Sequence, residues 1–308
     1  MAKRLEETQR FEQLAQRIIP QGVLRRAWEL EGGVSARTTA LEIEGPDGDR
    51  QTVVMRRHGD VDFNHNPNIA ADEYRLLEAL QTLGIAAPRP LYLGAADTVI
   101  DRPYIVIEYV EGETEFEPAD ETDNVQRLAA QLAAIHRADS ARLDLSFLPR
   151  QEESETARIN RRPAHLDASL SEERIRGFLE SAWPVSQRNP PALLHGDFWP
   201  GNVLWKEGRI AAVIDWEDAA LGDPLADLAN SRLEILFFFG PDALHHFTLA
   251  YLHEHPAINV TNLPYWDLCA ALRPASKLSS WGLDEDTKHT MRERHALFVN
   301  QAFEQMGR

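Results

Sequence analysis

The 308-residue chain holds a single cysteine, Cys269. One thiol forms no intramolecular disulfide and no cysteine metal cluster, so Cys269 reads as a small core hydrophobe in a chain suited to a reducing, cytoplasmic setting. Basic residues are also scarce, with 32 Lys and Arg against 49 Asp and Glu, for a net charge of −17. That balance argues against nucleic acid as the main partner, because phosphate binding needs a basic footprint, and against an anionic membrane. It favours a cationic over an anionic substrate, and it serves plain solubility equally well. Long apolar runs are missing too. The longest, Ile235-Leu236-Phe237-Phe238-Phe239, is far short of the roughly 20 residues needed to cross a bilayer and reads as a buried helix face. The opening MAKRLEETQRFEQLAQR is charged throughout, so no signal peptide is expected.

What is present is an ordinary apolar fraction of 43% over a length that suits two lobes. Residues 3–18 have helical apolar spacing at Leu5, Phe11, Leu14 and Ile18. Thr38 to Ile43 and Thr52 to Met55 read as strands around the turn EGPDGDR. Asn68 to Leu83 reads as a helix closed by Gly84, followed by strands at Pro90 to Leu93 and Tyr104 to Val110. Residues 1–110 are therefore expected to form an antiparallel sheet with one inserted helix. Residues 111–308 are expected to be mainly helical, with helices over 123–137 and 171–183, an exposed loop over 150–167, a hairpin over 203–214, and at least four helical segments after Asp223.

One stretch of that second region, HGDFWPGN at 195–202, concentrates reactive side chains in a segment too rich in Gly and Pro for a helix. Asp197 and Asn202 are five positions apart, and Asp215 follows in IDWED after the hairpin. Phosphoryl transfer from a nucleotide needs such a set. One carboxylate faces the attacking hydroxyl and accepts its proton, while an amide oxygen and a second carboxylate hold magnesium against the phosphates.

The blocks HGDFWPGNVLW and VIDWEDAALGDPLADLA make the chain resemble the aminoglycoside phosphotransferase and choline kinase family, the small-molecule branch of the protein-kinase-like fold. The resemblance implies a two-lobed α+β architecture, with Asp197 as catalytic base, Asn202 and Asp215 as magnesium ligands, and ATP and Mg²⁺ as cofactors. It places His195 and His136 in supporting roles. Asp223, ahead of Pro224, suits a helix cap, and Asp227 suits a brace for the loop.

In the first lobe, Arg56 in TVVMRRHG falls where kinases carry their phosphate-gripping lysine, and Arg57 points to the opposite face. Glu73 either pairs with Arg56 or makes a surface helix pair. Gly33 and Ser35, in EGGVSART, take the place of a phosphate loop. By the resemblance, the backbone around Glu108 and Val110 meets the purine, with adenine expected and guanine open.

Asp215 and GDP are separated by too few residues to form a peptide-docking segment, so the expected acceptor is a small hydroxylated molecule. The seven acids of 111–123 either attract a cation or form a solvated face. Trp266, Trp281 and Tyr265 either cage an ammonium or pack a core. His245, His246, His253 and His255 read as exposed, and Glu217, two residues past Asp215, reads as a solvated acid, with contact to metal or substrate as the alternative. The alternative function is a catalytically silent nucleotide-binding or regulatory protein of the same fold.

Overall fold

A computed structural model of the chain describes residues 2–30, 36–97, 100–140, 143–275 and 277–307. It divides into two units, Met1–Gly112 with Lys206–Glu217, and Glu113–Trp205 with Asp218–Arg308. Lys206–Glu217 thus groups with the first unit although it lies within the 111–308 stretch.

The first unit is built on a five-stranded antiparallel sheet. Its strands are β1 (Val23–Glu29), β2 (Ala36–Glu44), β3 (Arg50–His58), β4 (Pro90–Gly94) and β5 (Tyr104–Glu108), in the order β1-β2-β3-β5-β4. Alternation along β2, β3 and β5 sorts side chains onto two faces. Leu41, Ile43, Val53, Met55, Tyr104 and Val106 make one core with Leu14 and Ala15 of helix α1 (Ala2–Ile18). The other face carries Val54 and Arg56 on the central strand. Helix α3 (Ile69–Leu83), which ends on Gly84 in the left-handed conformation, packs against β3, β4 and β5.

Two elements of this unit had no sequence signal. Strand β1 reads VLRRAWE, which breaks apolar alternation because it is an exposed edge and edge strands tolerate charge. A short helix α2 (Asp60–His65) precedes α3, so two helices rather than one separate β3 from β4.

The second unit is mainly helical. Helix α4 (Glu121–Arg137) is capped by Asp120, whose side chain accepts from the Asp123 N–H at 3.0 Å. Helices α5 (Gln151–Asn160) and α6 (Glu172–Ala182) follow, then the short antiparallel pair β6 (Ala192–Leu194) and β9 (Ala220–Gly222). The last four helices are α7 (Leu225–Phe239), α8 (Pro241–Glu254), α9 (Leu263–Ala271) and α10 (Glu285–Gln305).

Helix α7 is buried almost all round and packs against α8, α9 and α10. It buries Arg232 by a two-pronged pair with Asp267, both contacts at 3.2 Å. The exposed loop expected over 150–167 is in part helix α5. Its apolar stripe is hidden because Glu155 stands where an apolar residue would be expected, and Glu155 is buried by pairing with Arg158 and Gln151. Strands β7 (Val203–Lys206) and β8 (Arg209–Val213) are joined through Glu207 and Gly208, both in the left-handed region that such a two-residue turn requires.

Candidate active site

The segment after β6 is held by a buried carboxylate. Asp227, in the first turn of α7, accepts from the His195 N–H at 2.6 Å and from the Gly196 N–H at 2.9 Å. Its Oδ2 also meets His136 Nε2 at 3.3 Å, and His136 Nδ1 meets the Tyr251 hydroxyl at 2.7 Å. A nitrogen facing a carboxylate must donate, so His136 Nε2 carries a proton. Burial pushes the Asp227 carboxyl up, but the hydrogen bond and charge of His136, with His195, outweigh it and the net shift is down. Burial and the charges of Asp227 and Asp223 push the Tyr251 hydroxyl up. Asp223 accepts from the Leu225 N–H at 3.0 Å and from Asn189 at 2.9 Å, so it caps the start of α7 from one position outside.

Gly196 explains why the loop reads HGD. Its φ is +84°, and a Cβ there would run into the backbone carbonyl of Asp218. Gly196→Ala is expected to cost about 1–2 kcal/mol for the left-handed backbone alone, plus the clash. It should lower both the urea midpoint of the second unit and turnover. Unchanged values of both would contradict this account of the loop.

Asp197, the predicted base, is about one-third exposed. Its Oδ1 takes Arg273 Nη2 at 2.9 Å, and Arg273 Nη1 donates to the Gly196 carbonyl at 2.8 Å. His195 Nδ1 accepts from the Asp197 N–H at 3.2 Å. Asn202 donates its amide to the Asp197 carbonyl at 2.9 Å, with a longer approach to Oδ2 at 3.4 Å. What Asn202 can offer a cation is therefore its Oδ1. Glu234, on α7, is a further acid in this environment. Burial and the charge of Asp197, opposed by Arg273, push its carboxyl up to about 8. Asp197, Asp218, Glu155 and Glu234 all act on Arg273, and together they outweigh the lowering that burial alone would produce.

Sequence reasoning found neither Arg273 nor Glu234. Arg273 is 76 residues from Asp197 in an unremarkable LRPAS stretch. Glu234 reads as one polar residue in an apolar helix.

The first unit holds a second cluster. Arg56, on the central strand and 8% exposed, places Nε 3.1 Å from Glu73 Oε1. Its Nη2 donates to Asp215 Oδ1 at 2.7 Å and to Glu217 Oε2 at 2.8 Å. His58, on the same face of β3 two residues on, lies 2.8 Å from Glu73 Oε2. Burial alone would lower the Arg56 pKa, but the charges of Glu73, Asp215 and Glu217 raise it. Burial likewise pushes Glu73 up, and Arg56 with His58 brings it below its ordinary value.

Asp215 has φ 66°, a conformation uncommon outside glycine. It is held there by the turn that follows, where the buried Trp216 donates its indole N–H to the Val213 carbonyl at 2.9 Å. Such local strain is a recognised mark of functional positions. The expectation that Glu217 is solvated is corrected: its side chain is 15% exposed and bound to Arg56. Residues 56 and 58 share a strand face, and that spacing could have drawn His58 into the set.

The remaining expected positions are distributed as follows. Gly33 and Ser35 lie outside the described residues. The Glu108 N–H donates to the Arg89 carbonyl at 2.9 Å, and its carboxylate takes the Arg89 side chain at 3.0 Å. Val110 lies just beyond the end of β5, half-buried. Arg57, on the other face of β3, reaches Asp101 at 3.2 Å.

Trp266 is buried edge-on against Trp183, Tyr265 stacks on Phe178, and Trp281 is exposed. Cys269 is buried. His245 and His253 are exposed, while His246 and His255 are half-buried. Acids of the 111–123 stretch serve locally, with Glu111 on Lys206 and Asp123 on Arg127.

The donors expected for magnesium fit its chemistry, since it takes carboxylate and amide oxygens and keeps much of its shell for phosphate and water. Among the described residues, no three His, Cys, Asp or Glu side chains are grouped to hold an ion by themselves. Asp215 keeps Oδ2 outside its bond to Arg56.

The chain is similar in sequence to several known proteins. A 30% identical relative, the homoserine kinase of Methylocella silvestris, matches over 164 residues, 50% of this chain and 49% of its own. Acyl-CoA dehydrogenase family member 10 of Mus musculus is 28% identical over 201 residues, 60% of this chain. The chain spans only about a fifth to a quarter of the length of this and the similar family member 11 proteins.

Among solved structures, the macrolide 2′-phosphotransferase MphH of Brachybacterium faecium superposes with a TM-score of 0.62 at 21% identity, covering 96% of this chain and 98% of its own. Aminoglycoside phosphotransferase APH(4)-Ia, as a thermostable mutant in complex with AMP-PNP and hygromycin B, gives 0.61 at 18% identity, covering 94% and 97%. These likenesses establish the protein-kinase-like fold. The family model described as phosphotransferase enzyme family, APH, matches residues 27–259, most of both units, and the chain belongs to that family.

Proposed function

We propose that the protein transfers the γ-phosphoryl group of ATP to a hydroxyl of a small molecule, with Asp197 as general base. The observation that carries this reading is the mounting of Asp197. Its loop amides are fixed by Asp227, its Oδ1 is held by Arg273, and among the described residues Oδ2 has only the long approach of Asn202. Oδ2 is therefore the atom that accepts the hydroxyl proton as the acceptor oxygen attacks phosphorus and ADP leaves. Asn202 Oδ1 and Asp215 Oδ2 are the oxygens these residues would offer to magnesium, whose chemistry would be to neutralise charge developing on the phosphates. Arg56, oriented by Glu73, supplies a cation to the nucleotide phosphates.

The acceptor class follows from the charges around the base. Arg273 is one guanidinium acted on by the carboxylates of Asp197, Asp218 and Glu155, while Glu234, its carboxyl pushed up to about 8, adds little negative charge at neutral pH. An acceptor carrying an amine beside its hydroxyl meets that field favourably. Relatives and neighbours include a homoserine kinase, a viomycin phosphotransferase and an enzyme bound to hygromycin B, consistent with amine-bearing hydroxyl compounds.

The test is ADP release from Mg·ATP over a panel of amino alcohols, hydroxy amino acids and aminoglycosides, with the same compounds lacking the amine as controls. Turnover confined to one or more amine-bearing acceptors is the expected result. Nucleotide binding without turnover for any acceptor would turn the assignment towards a silent binding protein.

A further inference from the structure

Glu217 is drawn into the phosphate-side cluster by an arginine that has three carboxylates to satisfy. Arg56 Nη2 is shared between Asp215 Oδ1 at 2.7 Å and Glu217 Oε2 at 2.8 Å, while Nε lies 3.1 Å from Glu73. A lysine ammonium is a compact point charge, but a guanidinium is a planar fork whose donors face different directions. Arg56 can therefore meet Glu73 on one side and the Asp215–Glu217 pair on the other. His58 steadies the far side of this arrangement, with Nε2 2.8 Å from Glu73 and Nδ1 3.8 Å from Glu217.

The arrangement has an electrostatic consequence. An aspartate bonded to a buried guanidinium is a poor ligand for a second cation, because the arginine charge repels the metal at short range. Glu217 counters this by sharing the same Nη2 and by adding a negative charge beside it. His58 aside, one positive charge then faces three negative ones, leaving two in excess. Without Glu217 the excess falls to one.

We propose that Glu217 is a positioning residue that keeps Asp215 competent to bind the nucleotide's divalent cation, and that it is the partner which lets arginine occupy position 56. This rests on the phosphotransferase reading above, with Asp215 as a metal ligand.

The experiment uses the full chain and Mn²⁺ as a probe. Free Mn²⁺ is followed by electron paramagnetic resonance in the presence of ADP, and metal-free ADP binding is measured by calorimetry. Glu217→Gln keeps the shape and removes the charge. It should weaken Mn²⁺·ADP binding by about tenfold or more, since one unit charge about 6 Å from a divalent cation has that effect even at the dielectric of water, and it should not weaken metal-free ADP binding, because losing a negative charge beside Arg56 does not disfavour an anion. Glu217→Asp, which retains the charge, should recover most of the loss. In an Arg56→Lys background, Glu217→Gln should cost clearly less than in the wild type, since contacting residues couple.

Equal Mn²⁺·ADP affinity in wild type and Glu217→Gln overturns the role of Glu217 while leaving the phosphotransferase reading intact. An equal loss of metal-free ADP binding also overturns it, by showing general damage to the unit. Wild-type protein that takes up no Mn²⁺ with ADP overturns both.

Discussion

Asp197→Asn is expected to lower kcat by about 10²–10⁴-fold, the usual contribution of a positioned general base, with little change in nucleotide affinity. The substitution preserves shape, so the amide oxygen can still accept from Arg273 Nη2, which now lies at 2.9 Å from Oδ1. The backbone hydrogen bonds of His195 and Gly196 to Asp227 do not involve the side chain and should persist. What is lost is a basic oxygen at Oδ2. Single-turnover phosphoryl transfer reads the loss directly, and nucleotide binding by calorimetry serves as the control. Asp215→Ala should give the opposite split, weakening Mg·ATP binding before chemistry begins. Equal losses of nucleotide affinity in the two variants would mean that the division of labour between base and metal ligand is wrong.

Asp227→Ala is expected to be the most destabilising single change in the second unit. Asp227 is 2% exposed and serves two backbone N–H groups and His136 at once. Removing one member of a buried charged pair costs about 3–5 kcal/mol, and two orphaned buried amides add to that. Urea unfolding of the second unit measures the loss, and a midpoint within experimental error of wild type would refute the brace.

The same carboxylate has a pH signature. Its folded-state pKa is held down, chiefly by His136 against the opposing effect of burial. Its contribution to stability is therefore complete above the ordinary aspartate value of about 3.9 and is lost as pH falls through the depressed folded value. Asp227→Asn should flatten that acid limb of the stability curve.

Much of this was legible along the chain, and what was not has identifiable causes. Asp197, Asn202 and Asp215 stand out because their spacing is local, with Gly196 just before the first and Pro200 and Gly201 between the first two. The sheet of the first unit was readable wherever apolar alternation survived, as in Thr38 to Ile43, and was missed at β1, where an edge position admits Arg25 and Arg26. Helix α5 reads as a loop in the sequence because Glu155 is buried through a pairing with Arg158 that no hydropathy pattern registers. Glu217 shows no partner along the sequence because Arg56 lies 161 positions away.

The sequence by itself determined the fold family and singled out the candidate reactive side chains, because catalytic-loop spacing and strand periodicity are short-range properties written directly into neighbouring residues. The tertiary structure decided the electrical setting of those side chains. It placed Arg273 on Asp197, raised Glu234 beside it, and divided Arg56 among Glu73, Asp215 and Glu217. Electrostatic energies depend on distance through space and on burial, and neither quantity exists until segments far apart in the chain have been packed together.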